Sequence, residues 1–310
     1  MGMRETYTES LIRLAEKDER ICLLDADLRV GHGTKPFYDR FPDRAINCGV
    51  AEANMLGIAA GLAAGGKIPF AETFGCFAAR RAFDQFFISG NYAGLNVKLL
   101  GSDPGVTAAF NGGTHMPFED LALMRAIPGL TIVSPCDPYS LGELMEPLAY
   151  SDGCVYLRMP RKAEQQIYMG NEKIELGRGK VLKEGSDITI AATGFVMVPE
   201  ALKAAELLDK DGISAAVIDF HTIKPLDTDL IEEWAGKTTM IVTMENHQKS
   251  GGFGGAVAEH LSSTKPVPVF RIGIEDRFGQ VGTEAFLKQD YGLTAEQSAP
   301  LIRDFFYKLK

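Results

Sequence analysis

The stretch N-C-G-V-A-E-A-N-M-L-G-I-A-A-G-L-A-A, at residues 47–64, places one carboxylate at the start of a predicted helix made mainly of small residues. Small side chains allow such a helix to pack closely against its neighbours. Glu52 would lie in the first helical turn, where a carboxylate commonly complements the helix dipole. The same position also suits a carboxylate that acts on a bound molecule, and spacing alone leaves both interpretations open.

On either side of this helix, short apolar runs alternate with longer helical stretches, which is typical of parallel sheets flanked by helices. Predicted strands that run into polar loops lie at 21–24, 97–100, 131–133 and 155–157. Ligands of open α/β sheets bind at the carboxyl ends of strands. We therefore predict an α/β protein and expect its functional residues in these loops.

Glycine, proline and polar residues crowd the sequence after residue 159, which favours a connection between domains. Alternation then resumes, with predicted strands at 188–192, 215–218, 240–243 and 267–272 and helices near 199–209 and 255–261. A chain of 310 residues is long enough for a second core. We predict two doubly wound domains, at residues 1–165 and 186–310, joined by a linker at residues 166–185.

The composition narrows the classes of partner. A formal net charge of −9 argues against binding to nucleic acid or to anionic membranes. The five cysteines form no C-x-x-C pair, so we expect a reducing, cytoplasmic location. The run S-G-G-F-G-G at 250–255 lacks P-loop spacing, and we predict a tight turn into a closely packed helix there.

Three further motifs follow the opening stretch in order. They are I-P-F-A-E-T-F-G-C-F at 68–77, G-G-T-H-M-P at 112–117 and L-M-R-A-I-P-G-L-T-I-V-S-P-C-D at 123–137. Together these segments resemble the pyrimidine-binding domain of transketolases, and the second half resembles the transketolase C-terminal domain. The resemblance implies a thiamine diphosphate pyrimidine-binding domain with a mostly parallel sheet, followed by a transketolase C-terminal-like domain.

One motif of this family is missing. Transketolases hold the cofactor diphosphate through Mg²⁺ on a G-D-G motif followed by Asn in a preceding domain, and no G-D-G occurs here. The resemblance therefore implies the C-terminal half of a split, two-subunit transketolase, with an N-terminal partner subunit in an α2β2 assembly. The implied cofactors are thiamine diphosphate and Mg²⁺, with the metal ligands in the partner and none in this chain. The implied activity is transfer of a two-carbon ketol unit from a ketose to an aldose, with at least one of them phosphorylated.

The resemblance also assigns roles to residues. Glu52 matches the glutamate that hydrogen-bonds to N1′ of the cofactor's aminopyrimidine, and we expect an apolar, alanine-rich setting around it. His115 matches a catalytic-site histidine that touches substrate hydroxyls. The other matched positions are Asp27, Phe74 and Phe77 for the cofactor, and Arg4 and Arg158 for the substrate phosphate. Without the resemblance, an F-x-x-F motif more often belongs to the hydrophobic core. Asp27 would then be interpreted as a helix N-cap, and Arg4 and Arg158 as members of surface ion pairs.

Several positions depart from the family pattern. Ser102 stands where many transketolases have a histidine, and Asn111 replaces an acidic residue. Gly31 replaces a phosphate-binding serine and is followed by His32. We include Ser102, Asn111 and His32 as candidate substrate ligands, and we assign Arg161 to the surface of the linker. These departures leave the identity of the sugars open.

Other functions remain open. The β subunit of a 2-oxo acid dehydrogenase has a similar length and two-domain plan, although the T-H-x-P loop argues against it. Deoxyxylulose-phosphate synthase is also related but is normally one long chain. From a different class, the chain could be a catalytically silent binding module of the same fold, because function depends on the site and not on the fold.

Overall fold

The structure, a computed structural model, describes residues 2–162 and 165–310. Its strands are β1 Ile21–Asp25, β2 Ala45–Asn47, β3 Ile68–Phe74, β4 Lys98–Ser102, β5 Thr131–Val133, β6 Val155–Met159, β7 Lys180–Lys183, β8 Ile188–Ala192, β9 Ala215–Asp219, β10 Thr222–Lys224, β11 Ile241–Gln248 and β12 Val269–Ile274. Its α-helices are α1 Met3–Lys17, α2 Arg29–His32, α3 Lys35–Arg40, α4 Glu52–Ala64, α5 Gly75–Arg80, α6 Phe83–Gln85, α7 Asp120–Arg125, α8 Pro138–Tyr150, α9 Gly194–Lys210, α10 Thr228–Lys237, α11 Phe253–Thr264, α12 Glu284–Asp290 and α13 Ala295–Leu309. Helical segments of other types than α lie at Pro42–Arg44, Phe86–Tyr92, Gly105–Asn111 and Gly113–His115.

The first sheet has the strand order β10-β5-β6-β4-β3-β1-β2. Strands β1 to β6 pair in parallel, so their carboxyl ends lie along one edge. Helices cover both faces, and strands such as β1, β4 and β6 are buried along their whole length. This confirms the predicted α/β fold with a mostly parallel first sheet.

The second sheet has the order β12-β11-β8-β9-β7, and only its edge strand β7 runs antiparallel among the described residues. Strand β7 lies inside the range 166–185, where we expected only linker. In the same range Tyr168 is buried, and its hydroxyl donates to Asp219 Oδ2 at 2.8 Å. The second sheet therefore begins before residue 186.

Helix α4 carries Glu52 to the carboxyl edge of the first sheet. The chain turns after β2 through Gly49, whose φ of 69° suits glycine, and the helix begins at Glu52. Its inner face is formed by Met55, Leu56 and Ala59, which are buried. Of its small residues, Ala59 and Ala60 are buried, but Gly57 and Gly61 are exposed and a β-carbon at either would contact nothing within this chain. The predicted close packing is therefore not made at these glycines among the described residues.

The two halves of the chain meet at the loop that follows β4. Asn246, at the carboxyl end of β11, donates to the Pro104 carbonyl at 2.9 Å and accepts from the Val106 N–H at 3.0 Å. Gly113 packs so closely on the Gly279 backbone that a β-carbon at residue 113 would overlap it. The second half therefore helps to hold the segment that carries Asn111 and His115.

Among the described residues, no helix combines the length and the hydrophobicity that a membrane span requires.

We predict that Asp219, at the end of β9, makes stability depend on pH. Burial raises the pKa of Asp219 from 3.8 to about 7. A carboxyl group whose pKa is raised by folding stabilises the fold most at low pH, and this stabilisation is lost as the pH rises to about 7. The free energy of unfolding of the wild type relative to Asp219→Asn should thus fall between about pH 4 and pH 7 and stay level above. Urea titrations across this range measure it, and a constant difference would contradict it.

Candidate functional site

Phe74, Phe77 and His115 form one cluster at the carboxyl edge of the first sheet. The His115 ring lies edge-on to Phe74, with centroids 5.5 Å apart, and to Phe77, with centroids 5.2 Å apart. The two phenylalanine rings are 6.1 Å apart. All three side chains are half-buried, so they offer a surface to a flat ring. The sequence predicted these residues for one site, and the structure brings them together.

Glu52 lies beside this cluster, in contact with an arginine that sequence reasoning missed. Its side chain is 1% exposed, and Arg81 Nη1 donates to Oε1 at 3.2 Å and to Oε2 at 3.0 Å. The Arg81 guanidinium also lies 4.2 Å from the centroid of the Phe77 ring. The setting of Glu52 is therefore not purely apolar, which corrects the expectation from the alanine-rich sequence.

His32 and Ser102 contact each other inside the protein. His32 Nε2 lies 2.7 Å from Ser102 Oγ, and His32 Nδ1 lies 3.4 Å from Glu72 Oε1. Thr34 donates its hydroxyl to the same Glu72 oxygen at 2.7 Å. All four side chains are buried, and the His32 ring packs edge-on to Phe74. The sequence carries one signal for Glu72, which is a charged residue within the apolar run at 68–74.

Arg161 reaches into the site, which corrects its assignment to the linker surface. Its guanidinium lies 4.7 Å from the Phe74 ring centroid and pairs with Asp103 at 2.6 Å. A β-carbon at Gly31 would lie 2.8 Å from Arg161 Nη1. The missing side chain at residue 31 therefore gives this guanidinium its place.

Arg158 is buried and paired with other groups of the fold, and its role as a phosphate ligand stays a prediction. It is 2% exposed and donates to Asp120 Oδ2 at 2.7 Å and to Asp120 Oδ1 at 3.2 Å. It also donates to the Asn246 carbonyl at 2.7 Å. The ion pair with Asp120 lies within the first half, and the bond to the Asn246 carbonyl joins this half to the second, so we expect Arg158 to stabilise the fold.

The remaining predicted residues lie at the periphery. The Arg4 side chain packs on Gly33, next to His32, and its Nε bonds to Glu5 at 2.7 Å. Asp27 is exposed, has a φ of 62° and accepts from Asn47 Nδ2 at 3.0 Å. Asn111 is exposed. Their predicted roles toward cofactor and substrate stay predictions.

The glycine run at 250–255 forms a turn into α11, as predicted. Glu245 accepts the N–H groups of Phe253 at 2.6 Å and Gly254 at 2.9 Å, so the chain's own carboxylate occupies the start of this helix. Burial raises the pKa of Glu245 to about 7. An external phosphate would have to displace this side chain.

The cluster suits one end of thiamine diphosphate better than the other. A carboxylate, two aromatic rings and an imidazole fit an aminopyrimidine. The diphosphate end requires a divalent ion or a ring of donors. Within residues 2–162 and 165–310, no group of three or more His, Cys, Asp or Glu residues is placed to hold a metal ion.

This fold and this cluster define a two-domain α/β protein of the thiamine-diphosphate-dependent class. Residues 1–166 match the family model for the transketolase pyrimidine binding domain, and residues 177–297 match that for the transketolase C-terminal domain. The chain therefore belongs to the transketolase family, in its split form.

Relatives of similar length support this assignment. The chain is 49% identical over 295 residues to the 6-deoxy-6-sulfo-D-fructose transketolase subunit SqwH of a Clostridium species, covering 95% of this chain and 91% of the relative. It is 43% identical over 306 residues to a protein of Methanocaldococcus jannaschii named as a transketolase C-terminal section, covering 98% and 96%. A solved split-gene transketolase, an inactive β4 tetramer, superimposes with a TM-score of 0.92 at 40% identity over the full length of both chains.

We predict that the Arg158–Asp120 pair mainly stabilises the fold. Asp120→Asn leaves a buried guanidinium without its counter-charge, so the free energy of unfolding should fall by about 3 kcal/mol or more. Urea denaturation measures this change. In the control Asp39→Asn, which removes an exposed pair with Lys35, we expect a loss below about 1 kcal/mol. Equal small losses would show that Arg158 does not depend on Asp120.

Proposed function

We propose that this chain is the pyrimidine-binding subunit of a split transketolase that transfers a two-carbon ketol unit from a ketose to an aldose. The observation that carries the proposal is the position of Glu52, a buried carboxylate whose partner Arg81 also covers the Phe77 ring at the carboxyl edge of the first sheet. The β subunit of a 2-oxo acid dehydrogenase loses support, because relatives that match over nearly the full length of both chains are named as a transketolase subunit, a transketolase C-terminal section and a split-gene transketolase.

The residues of the cluster have distinct tasks in this proposal. Thiamine diphosphate supplies the electron sink that lets a carbon–carbon bond next to a carbonyl break. Glu52 holds a hydrogen bond to N1′ of the pyrimidine, while Phe74 and Phe77 provide the apolar surface on which that ring packs. Asp27, just after the carboxyl end of β1, lies near the cofactor in this proposal. His115 donates or accepts a hydrogen bond at a substrate hydroxyl.

The partner in this proposal is an N-terminal subunit that brings the Mg²⁺ ligands and the diphosphate site. Large apolar side chains are exposed in the segments that follow strands β1, β2, β4 and β12, at Val30, Val50, Phe110 and Phe278. Exposed apolar side chains grouped in this way are typical of protein interfaces. The inactive β4 tetramer of the related split-gene protein agrees with a chain that needs a different partner. The α2β2 stoichiometry and the cytoplasmic location remain predictions.

The donor sugar in this proposal carries a tetrahedral anion, either a sulfonate or a phosphate, on its terminal carbon. Arg161 lies 4.7 Å from the Phe74 ring centroid, is partly exposed and, unlike Arg81, is not paired with Glu52, and its fork suits such an anion. One relative is named for 6-deoxy-6-sulfo-D-fructose. The other candidate substrate ligands in this proposal are His32, which packs edge-on to Phe74, and Ser102, which contacts His32. Arg4, which packs on Gly33, and Asn111, which lies just before the turn that carries His115, are candidates too.

We predict that Glu52→Gln lowers kcat of the chain reconstituted with its N-terminal subunit by about 100-fold or more, because the proton-sharing carboxylate is lost. Transfer is measured with sulfonated, phosphorylated and unmodified ketose donors and an aldose acceptor. Glu296→Gln is the matched control, since Glu296 also lies in a first helical turn but is exposed. Full activity of Glu52→Gln would favour a silent binding module, and turnover of 2-oxo acids alone would contradict ketol transfer.

We predict that Arg161→Met raises KM for the anionic ketose about 10-fold to 100-fold, because a charge-assisted contact is removed. KM for an unmodified ketose should change little. Lys162→Met is the control, because it removes the adjacent charge. An equal rise in KM for both donors would show that Arg161 only shapes the site.

A further inference from the structure

Arg81 is the hydrogen-bond partner that the structure gives to the Glu52 carboxylate. A single guanidinium nitrogen reaches both carboxylate oxygens, at 3.2 and 3.0 Å, and only 1% of the Glu52 side chain is exposed. An ionised carboxylate buried without a partner is strongly unfavourable. Arg81 therefore compensates the charge of Glu52 in the chain as it stands.

The same guanidinium also lies over an aromatic ring of the site. Its carbon is 4.2 Å from the Phe77 centroid, while His115 packs edge-on to that ring. A planar group that donates to Glu52 and covers Phe77 has the two contacts that the proposed function assigns to the aminopyrimidine. Both cannot hold the same carboxylate and ring face at once.

We propose that Arg81 is a stand-in for the pyrimidine, which keeps Glu52 paired until the cofactor arrives and then moves out of the site. This inference rests on the proposed function of Glu52. The side chain of Arg81 is 49% exposed, so it has solvent into which it can turn. Glu52, enclosed by the fold, has no such freedom. The Arg81–Glu52 ion pair and the cofactor therefore compete.

Competition predicts a gain in affinity from removing a positive charge. In the chain reconstituted with its N-terminal subunit, Arg81→Met should bind thiamine diphosphate with Mg²⁺ at least about fivefold more tightly by calorimetry. A residue that merely attracts the anionic cofactor, or that supports the fold, would give weaker binding. The cofactor-free Arg81→Met chain should also unfold at lower urea concentration, because Glu52 loses its partner. Adding Glu52→Gln to Arg81→Met should restore most of that loss.

Arg80→Met is the matched control. Arg80 lies next to Arg81, is 45% exposed and pairs with Glu119 instead of Glu52. We expect its cofactor affinity to stay within about twofold of the wild type. Weaker or unchanged binding by Arg81→Met, with Glu52→Gln still weakening binding, would overturn this inference alone. Unchanged binding by Glu52→Gln would instead overturn the proposed function on which it rests.

Discussion

A carboxylate enclosed by a protein must be matched by a positive charge or by hydrogen-bond donors. Glu52 meets this constraint at the start of α4, where free backbone N–H groups favour an anion and Arg81 supplies the charge. The start of α4 lies near the carboxyl edge of the sheet because the helix begins shortly after β2 ends. The aromatic cluster lies at the same edge because β3 ends there. The geometry of the site thus follows from where this one charge is buried.

The sequence indicated those strands that are continuously apolar. The predicted ranges 131–133 and 188–192 match β5 and β8, and the other predicted strands differ by a few residues at their ends. The sequence did not indicate β3, because Pro69 and Glu72 interrupt its apolar pattern. Glu72 can be buried there because it accepts a hydrogen bond from Thr34, which is distant in sequence. Strands β2, β7 and β10 were not predicted either, because each has only three or four residues.

The carboxyl ends of the predicted strands indicated the edge at which ligands bind. The roles of Glu52, Phe74, Phe77 and His115 came instead from the resemblance to transketolases, because spacing alone left Glu52 open and favoured a core role for F-x-x-F. The sequence did not show which of Arg158 and Arg161 faces the site. Arg158 lies within β6, where a buried guanidinium requires a buried carboxylate, whereas Arg161 lies beyond the strand end and turns back over Phe74. Only the path of the chain after Pro160 decides between them.

Strand β10 comes from the second half of the chain but pairs with β5 of the first sheet. A gene broken between the halves would leave β5 with a row of unpaired backbone groups, and bare sheet edges promote aggregation. The first sheet is therefore complete only after residues 222–224 have been synthesised, so its folding depends on the second half of the chain.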